Sequence, residues 1–219
     1  MRRRLYLMRH AEVSYFADDG MPFRQQEVAL TNRGRQQAEA ARAALAGIEL
    51  DRVVTSGLPR TIETARIVAP GLGAESWAEL REWEGGRLAD LAEDEVEQAF
   101  VGALRVRDEA ARFLGGETLQ ELLDRVLPAL ERLVANDWET ALAVLHGAVN
   151  RVILSRALAG GRAYFGGFEQ APCCINVLDL GDDGWVVRTV NYVPYDPLAP
   201  ARTTTMEEYW AQYRPERAL

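Results

Sequence analysis

The chain holds two histidines, and each stands at the end of a short apolar run. His10 closes Leu5-Tyr6-Leu7-Met8-Arg9-His10, and His146 closes Ala141-Leu142-Ala143-Val144-Leu145-His146. A short apolar run stopped by a polar residue reads as a buried strand of a parallel sheet. Open α/β sheets bind their ligands beyond the carboxyl ends of such strands. Both imidazoles, and Arg9 with the first, are therefore expected at one edge of one sheet. Two unrelated core or surface histidines are the bland alternative. Their shared position makes it the weaker one.

The remaining pattern predicts an α/β fold: a three-layer open sheet, mostly parallel, with helices on both faces and a C-terminal hairpin. Strands are expected at 4–8, 51–55 and 140–145, with a hairpin of 173–180 and 184–190 around Gly181-Asp182-Asp183-Gly184. Thr31 suits the N-cap of a helix running to about Leu45, with Leu30, Ala38, Ala41 and Leu45 on one side. Pro59 opens a helix that carries Arg60 in its first turn and should bury Ile62, Ala65 and Ala69. Thr118 and Glu121 form a capping-box pattern ahead of a stripe from Leu119 to Leu133, in which Pro128 predicts a kink or break. A helix is expected over 147–159. The loop at 13–29 is rich in turn and aromatic residues. Residues 84–114 are glycine-marked, then acidic, and are read as a helical, solvated face without function. The expected organisation is one domain over 1–193, with 83–116 as a peripheral helical insertion. A Pro-rich tail follows over 194–219, with a short helix near 206–213 behind a Thr205/Glu208 cap.

Composition narrows the function. Apolar residues make up 48% of the chain and charged residues 26%, as expected of a globular protein with a full core. No apolar run approaches the ~18 residues of a membrane span. The basic start Met1-Arg2-Arg3-Arg4 leads into an apolar stretch cut short by Arg9 and His10, too short for a signal-peptide core. A cytoplasmic protein without membrane partners is therefore expected. The adjacent Cys173 and Cys174 frame neither disulfides nor zinc and read as small fillers in a strand. A net charge of −8 argues against a nucleic-acid partner. An anionic substrate would need a local positive pocket, for which Arg9 and Arg60 are the sources.

Three segments thus converge on one edge: Arg9-His10, the turn from Ser56 to Arg60, and His146-Gly147. Two guanidiniums and two imidazoles suit a tetrahedral dianion, because the guanidinium fork matches phosphate oxygens and keeps its charge. An imidazole is a competent nucleophile near neutral pH, and attack on phosphorus would give a phosphohistidine. The other cations would hold the equatorial oxygens as charge spreads. No Asp-rich metal cluster and no GxxxxGK[ST] loop is present, so neither a metal nor another cofactor is expected.

Met8-Arg9-His10-Ala11-Glu12 resembles the signature of the histidine phosphatase superfamily, the phosphoglycerate-mutase-like fold. The likeness continues in order through 30–38, Thr55-Ser56-Gly57-Leu58-Pro59-Arg60 and on to Ala65, Leu80-Arg81-Glu82, 115–118 and 144–147. It spans residues 4 to 190. The resemblance implies that His10 is the phosphorylated nucleophile and that Arg9, Arg60 and His146 bind the phosphoryl group. It implies Glu82 as the acid that protonates the leaving oxygen and then the base that activates water, with Glu79 and Glu84 as rivals. Glu12, Ser14, Tyr15, Phe16 and Phe23 are candidates for the pocket lining, and Glu12 is equally plausible as a structural residue. Ala11 stands where the family usually has glycine, and no Asn follows Glu12.

The leading reading is a phosphomonoester phosphatase acting on a small phosphorylated substrate. A phosphoglycerate-type mutase is the second, disfavoured because the loop at 15–23 is aromatic and the middle segment acidic. A non-catalytic phospho-ligand binder ranks last, since His10, Arg60, Glu82 and His146 are all present. The tail aromatics Tyr209, Trp210 and Tyr213 are expected to pack on their own domain or on a twin, which leaves a homodimer open.

Overall fold

The computed structural model describes residues 2–15, 23–24, 27–86, 101–106, 108–198 and 202–213. Strand β1 (Arg3–Arg9) lies deep in a six-stranded sheet with β2 (Arg52–Thr55), β3 (Ala74–Ser76), β4 (Thr140–Leu145), β5 (Ile175–Gly181) and β6 (Gly184–Tyr192). The spatial order is β3-β2-β4-β1-β5-β6. The first four strands pair in parallel, and the β5–β6 hairpin adds antiparallel to β1.

Successive side chains of a strand point to opposite faces, and the central strands are apolar on both. Leu5, Leu7, Ala141, Ala143 and Leu145 face α3 (Leu119–Ala135) and α4 (Gly147–Ala159) in one buried cluster. Tyr6, Met8, Leu142 and Val144 face α1 (Asn32–Ala44) and α2 (Pro59–Val68) in the other. This is the three-layer α/β arrangement that the patterning predicts. The caps follow their chemistry: Thr31 accepts from Gly34 N, and Thr118 and Glu121 close a full capping box.

Several local expectations are corrected. Helix α3 runs unbroken through Pro128. Seven buried side chains, among them five leucines and Val126, outweigh the ~3 kcal/mol that an interior proline costs. In α2, Ile62 is only half-buried. The buried face there is Arg60, Thr61, Thr64, Ala65 and Val68, because it looks into a polar cleft as well as the core. Cys173 and Cys174 are buried but lie in the turn before β5, with Cys173 at φ 58. The tail helix α5 (Thr205–Tyr213) is capped one residue earlier than expected, by Thr204 with Glu207. The Thr205 hydroxyl instead donates to Glu169. Strand β3 escapes pattern reading, as its three residues are all exposed.

Trp83 is buried against Phe113, and Glu84 and Gly86 bond across to Glu117 and Leu114. The acidic stretch with Asp90, Glu93, Asp94, Glu95 and Glu97 lies outside the described residues.

Helix α1 docks on the segment after His10 through Gly34. A methyl at Gly34 would sit 2.2 Å from the carbonyl oxygen of Glu12, which also accepts from Thr31 N. Gly34→Ala is expected to destabilise the fold by about 1–3 kcal/mol through overpacking, as read by urea denaturation. An unchanged midpoint would show that this contact is not tight.

Candidate active site

The carboxyl ends of β1, β2 and β4 face the start of two helices. Beyond β1 stand Arg9 and His10. The turn after β2 delivers Ser56 and then Arg60 in the first turn of α2, and β4 ends at His146, where α4 begins without a loop. The exposures of Arg9, His10, Arg60 and His146 are 5%, 0%, 1% and 0%, so the cluster is sealed from solvent here. The two imidazoles meet edge to face with centroids 5.2 Å apart.

Each ring has one nitrogen engaged. Nδ1 of His10 lies 2.8 Å from the Ala11 carbonyl. A carbonyl only accepts, so Nδ1 carries the proton and Nε2 keeps its lone pair. That Nε2 is buried and has no hydrogen-bond partner among the described residues. Burial, then Arg60 and Arg9, hold the His10 pKa well below the usual histidine range, and the ring is neutral. His146 is lowered in the same way, by burial first and then by Arg60, His10 and Arg9. Its Nε2 contacts Ser56 Oγ at 2.8 Å.

Arg9 spends its terminal nitrogens on the carbonyl of Gln170 and on the Tyr209 hydroxyl, the latter at 3.1 Å. Its Nε is buried without a partner among the described residues. Gln170 is fixed by its amide, which donates to Asn176 Oδ1, while Asn176 donates to the Leu7 carbonyl. The Thr64 hydroxyl accepts from Ala11 N and donates to the Arg60 carbonyl, pinning α2 to the segment after His10.

Of the three candidate acids, Glu82 alone reaches this cluster. Its carboxylate accepts from Ala148 N at the start of α4 and from Trp83 N. Glu79 pairs with Arg132 on the surface, and Glu84 is exposed. A methyl at Gly147 would sit 3.6 Å from Glu82 Oε2, 3.7 Å from Arg9 Nε and 3.2 Å from an Arg151 terminal nitrogen. Glycine there keeps open the space that these groups surround.

The other expected lining residues divide. Tyr15 lies edge-on to Tyr209 at 4.8 Å, and the Arg60 guanidinium carbon is 5.8 Å from its ring centre. Glu12 turns to Thr31 and Arg33 at the start of α1. Ser14 is half-buried and Phe23 exposed, with Phe23 N bonded to the Tyr15 carbonyl. Phe16 lies outside the described residues. Sequence reasoning missed the parts played by Thr61, Thr64, Gln170 and Tyr209. A hydroxyl inside a helix and a glutamine in a loop carry no pattern, and only tertiary contact gives them a place.

Buried cations surround an imidazole whose Nε2 has no partner among the described residues, with a carboxylate across the gap, an arrangement with the chemistry to hold a tetrahedral anion at the edge of an α/β sheet. Residues 5–193 match the model of the histidine phosphatase superfamily (branch 1), and the chain belongs to that superfamily. It is 30% identical over 202 residues to the "Probable phosphoglycerate mutase GpmB" of Salmonella paratyphi A, covering 87% of this chain and 94% of that protein. It is 27% identical over 208 residues to the "Probable 2-carboxy-D-arabinitol-1-phosphatase" of Arabidopsis thaliana. That match takes in 90% of this chain, which thus spans only 43% of the plant protein. The crystal structure of the alpha-ribazole phosphatase from Shigella flexneri aligns with a TM-score of 0.63 at 25% identity, covering 86% of this chain and 96% of that one. No described helix is long and apolar enough to cross a membrane.

Tyr209 is buried against Arg9 and Tyr15 lies edge-on to it, so removing the Tyr209 ring should open the cluster. With two histidines in the chain, ethoxycarbonylation by diethyl pyrocarbonate reads the opening directly. Tyr209→Ala is expected to speed modification several-fold over the parent. Equal rates would assign the seal to other residues.

Proposed function

We propose that this chain is a phosphomonoester hydrolase that works through a phosphohistidine on His10. The observation that carries the reading is the His10 ring itself: neutral, oriented by the Ala11 carbonyl, and presenting a bare Nε2 between two guanidiniums. In-line attack by Nε2 forms the N–P bond as the ester oxygen departs. Arg9 through Nε, Arg60 and His146 hold the three remaining oxygens, charge that is worth most where water is excluded. Glu82 gives the leaving oxygen a proton and then takes one from the water that cleaves the N–P bond. The substrate class is a small phosphorylated molecule, and the unit that carries the chemistry is the domain over 1–193 together with Tyr209 of the tail. A cytoplasmic setting and no nucleic-acid partner belong to the same proposal, the second supported by the net charge of −8.

A phosphoglycerate-type mutase is the second reading, since one relative is named a probable phosphoglycerate mutase. Hydrolysis is favoured here because the Tyr15 and Tyr209 rings pack beside Arg60 and Arg9, and the further guanidinium at the gap, Arg151, is held by the Gly147 and Gly166 carbonyls.

His10→Ala should abolish turnover while thermal unfolding stays near that of the parent. Rapid quench of the parent with labelled substrate should leave acid-labile, base-stable phosphate on His10; label on serine, aspartate or cysteine would refute the mechanism.

The lowered His10 pKa sets the pH dependence. The nucleophile must be unprotonated, so kcat/KM falls as pH drops through that pKa. After allowance for the substrate's own ionisation, the acid limb should lie below the ordinary histidine value of ~6.5. An acid limb at or above that value would contradict a buried neutral ring.

Glu82→Gln should slow alkyl phosphates by about 10²–10⁴-fold and aryl phosphates far less, because an aryl oxide leaves without a proton. Equal losses on both substrates would give Glu82 a binding role instead.

A further inference from the structure

Behind His146 runs a short chain of hydroxyls. Thr61 Oγ1 donates to the Leu58 carbonyl at 2.8 Å, which uses its single proton. Toward Ser56 Oγ, 3.1 Å away, Thr61 can then only accept, so Ser56 gives its own proton to Thr61. Ser56 Oγ is left as an acceptor, for Leu58 N–H at 3.4 Å and for the imidazole at 2.8 Å. His146 must therefore carry its proton on Nε2. Because the ring is neutral, Nδ1 holds a lone pair, buried and without a hydrogen-bond partner among the described residues.

We propose that Thr61 and Ser56 are positioning residues that fix His146 as the Nε2–H tautomer, so that the pocket binds a phosphate together with one proton. The inference rests on the pocket being the phosphoryl site argued above. A bare Nδ1 and a phosphate oxygen are both acceptors and repel. Once Nδ1 takes a proton, the ring donates on both sides, through Nε2–H to Ser56 and through Nδ1–H to the phosphate. The balance is one phosphate dianion, one neutral His146 and one proton giving a bound dianion and an imidazolium. No bond to phosphorus forms or breaks.

The charges that face the ring favour this exchange. Arg9 and His10 come from β1, Arg60 from α2 and Arg125 from α3, while Glu82 supplies the one described carboxylate at the cluster. In the empty pocket burial and these cations keep the ring neutral. A bound dianion reverses the field and makes the imidazolium the favoured form. By linkage, phosphate affinity falls as pH rises wherever the free ligand is already the dianion, by about tenfold per pH unit for one proton.

The two-histidine composition makes the test clean. Selective ¹⁵N-histidine labelling gives four ring nitrogens, and His10→Asn assigns them. The ligand-free parent should show His10 as the Nδ1–H and His146 as the Nε2–H tautomer. Thr61→Val keeps the shape but removes the terminal hydroxyl, which frees Ser56 to donate to Nε2; His146 should switch to Nδ1–H. Calorimetric titration with inorganic phosphate in two buffers of different ionisation enthalpy should read about one proton taken up by the parent and clearly less by Thr61→Val. The parent's affinity should fall with pH and the variant's should be flatter. Ser56→Ala, lacking the acceptor, should also lose the preference for Nε2–H. Nδ1–H on His146 in the ligand-free parent would overturn the proposal, as would an unchanged tautomer and proton count in Thr61→Val. The ligand-free spectrum needs no turnover, so an inactive enzyme with the expected tautomer would refute the hydrolase reading and leave the relay standing.

Discussion

The site depends on the in-register pairing of β1 with β4. Arg9 lies opposite Leu145, and His10 N continues the ladder by donating to the Leu145 carbonyl at 2.9 Å. That register puts the residue after each strand, His10 and His146, side by side. The same register sorts the apolar residues, with Leu5 and Leu7 sent to one helical layer and Tyr6 and Met8 to the other. A slip of one residue would exchange the layers and turn both packing faces wrong at once. The core and the chemistry are thus fixed by one set of backbone hydrogen bonds. Because α4 starts at Gly147, directly after His146, its first amides are held at the same place, and Ala148 N is already bonded to Glu82.

Burial then decides the electrostatics. The chain carries a net −8, yet its sheet edge collects two guanidiniums and two imidazoles almost without exposure. The hydrogen-bond partners of Arg9 are neutral oxygens, those of Gln170 and Tyr209. A buried cation held by neutral acceptors is poorly compensated. The histidines respond by staying neutral, and the site keeps a standing preference for an anion. A dianion entering the gap beside Gly147 would compensate the guanidiniums at fixed geometry, which is the condition under which charge stabilises a transition state most.

Much of this was legible in the sequence, and the parts that were not share a cause. Strands β1 and β4 and helices α1, α3 and α4 follow from apolar periodicity and from side-chain caps, which are local signals. Arg9, His10, Arg60 and His146 were nameable because strand ends and the turn after β2 put them on one edge, Glu82 was nameable only through the family resemblance, and the fold brings all five together. The proline in α3 misled because its cost is local while the burial that offsets it is tertiary. Ile62 misled because α2 turns Thr61 and Thr64 inward to serve polar neighbours. Gln170 reaches Arg9 across 161 positions and Tyr209 across 200. No local pattern encodes contacts of that span.

The tail contact has its own consequence. Tyr209 bonds the charged Arg9 and meets Tyr15 edge to face, and Thr205 ties the same helix to Glu169. A hydrogen bond to a charged group contributes about 1.5–3 kcal/mol, and an aromatic pair about 0.5–1.5. A contact of about 3 kcal/mol that had to open for binding would leave the open form near 1% of the population and weaken apparent affinity about 100-fold, a cost that a dianion bound between the guanidiniums would have to offset. In the proposed phosphohistidine mechanism this contact bears on the outcome. Water must reach the N–P bond after the leaving group departs, and Tyr209, bonded to Arg9, lies beside that bond's place in the proposed mechanism. On that proposal, the strength of the Tyr209–Arg9 contact, set by a tail far in sequence from the other site residues, would bear on how readily a phosphohistidine gives its phosphoryl group to water.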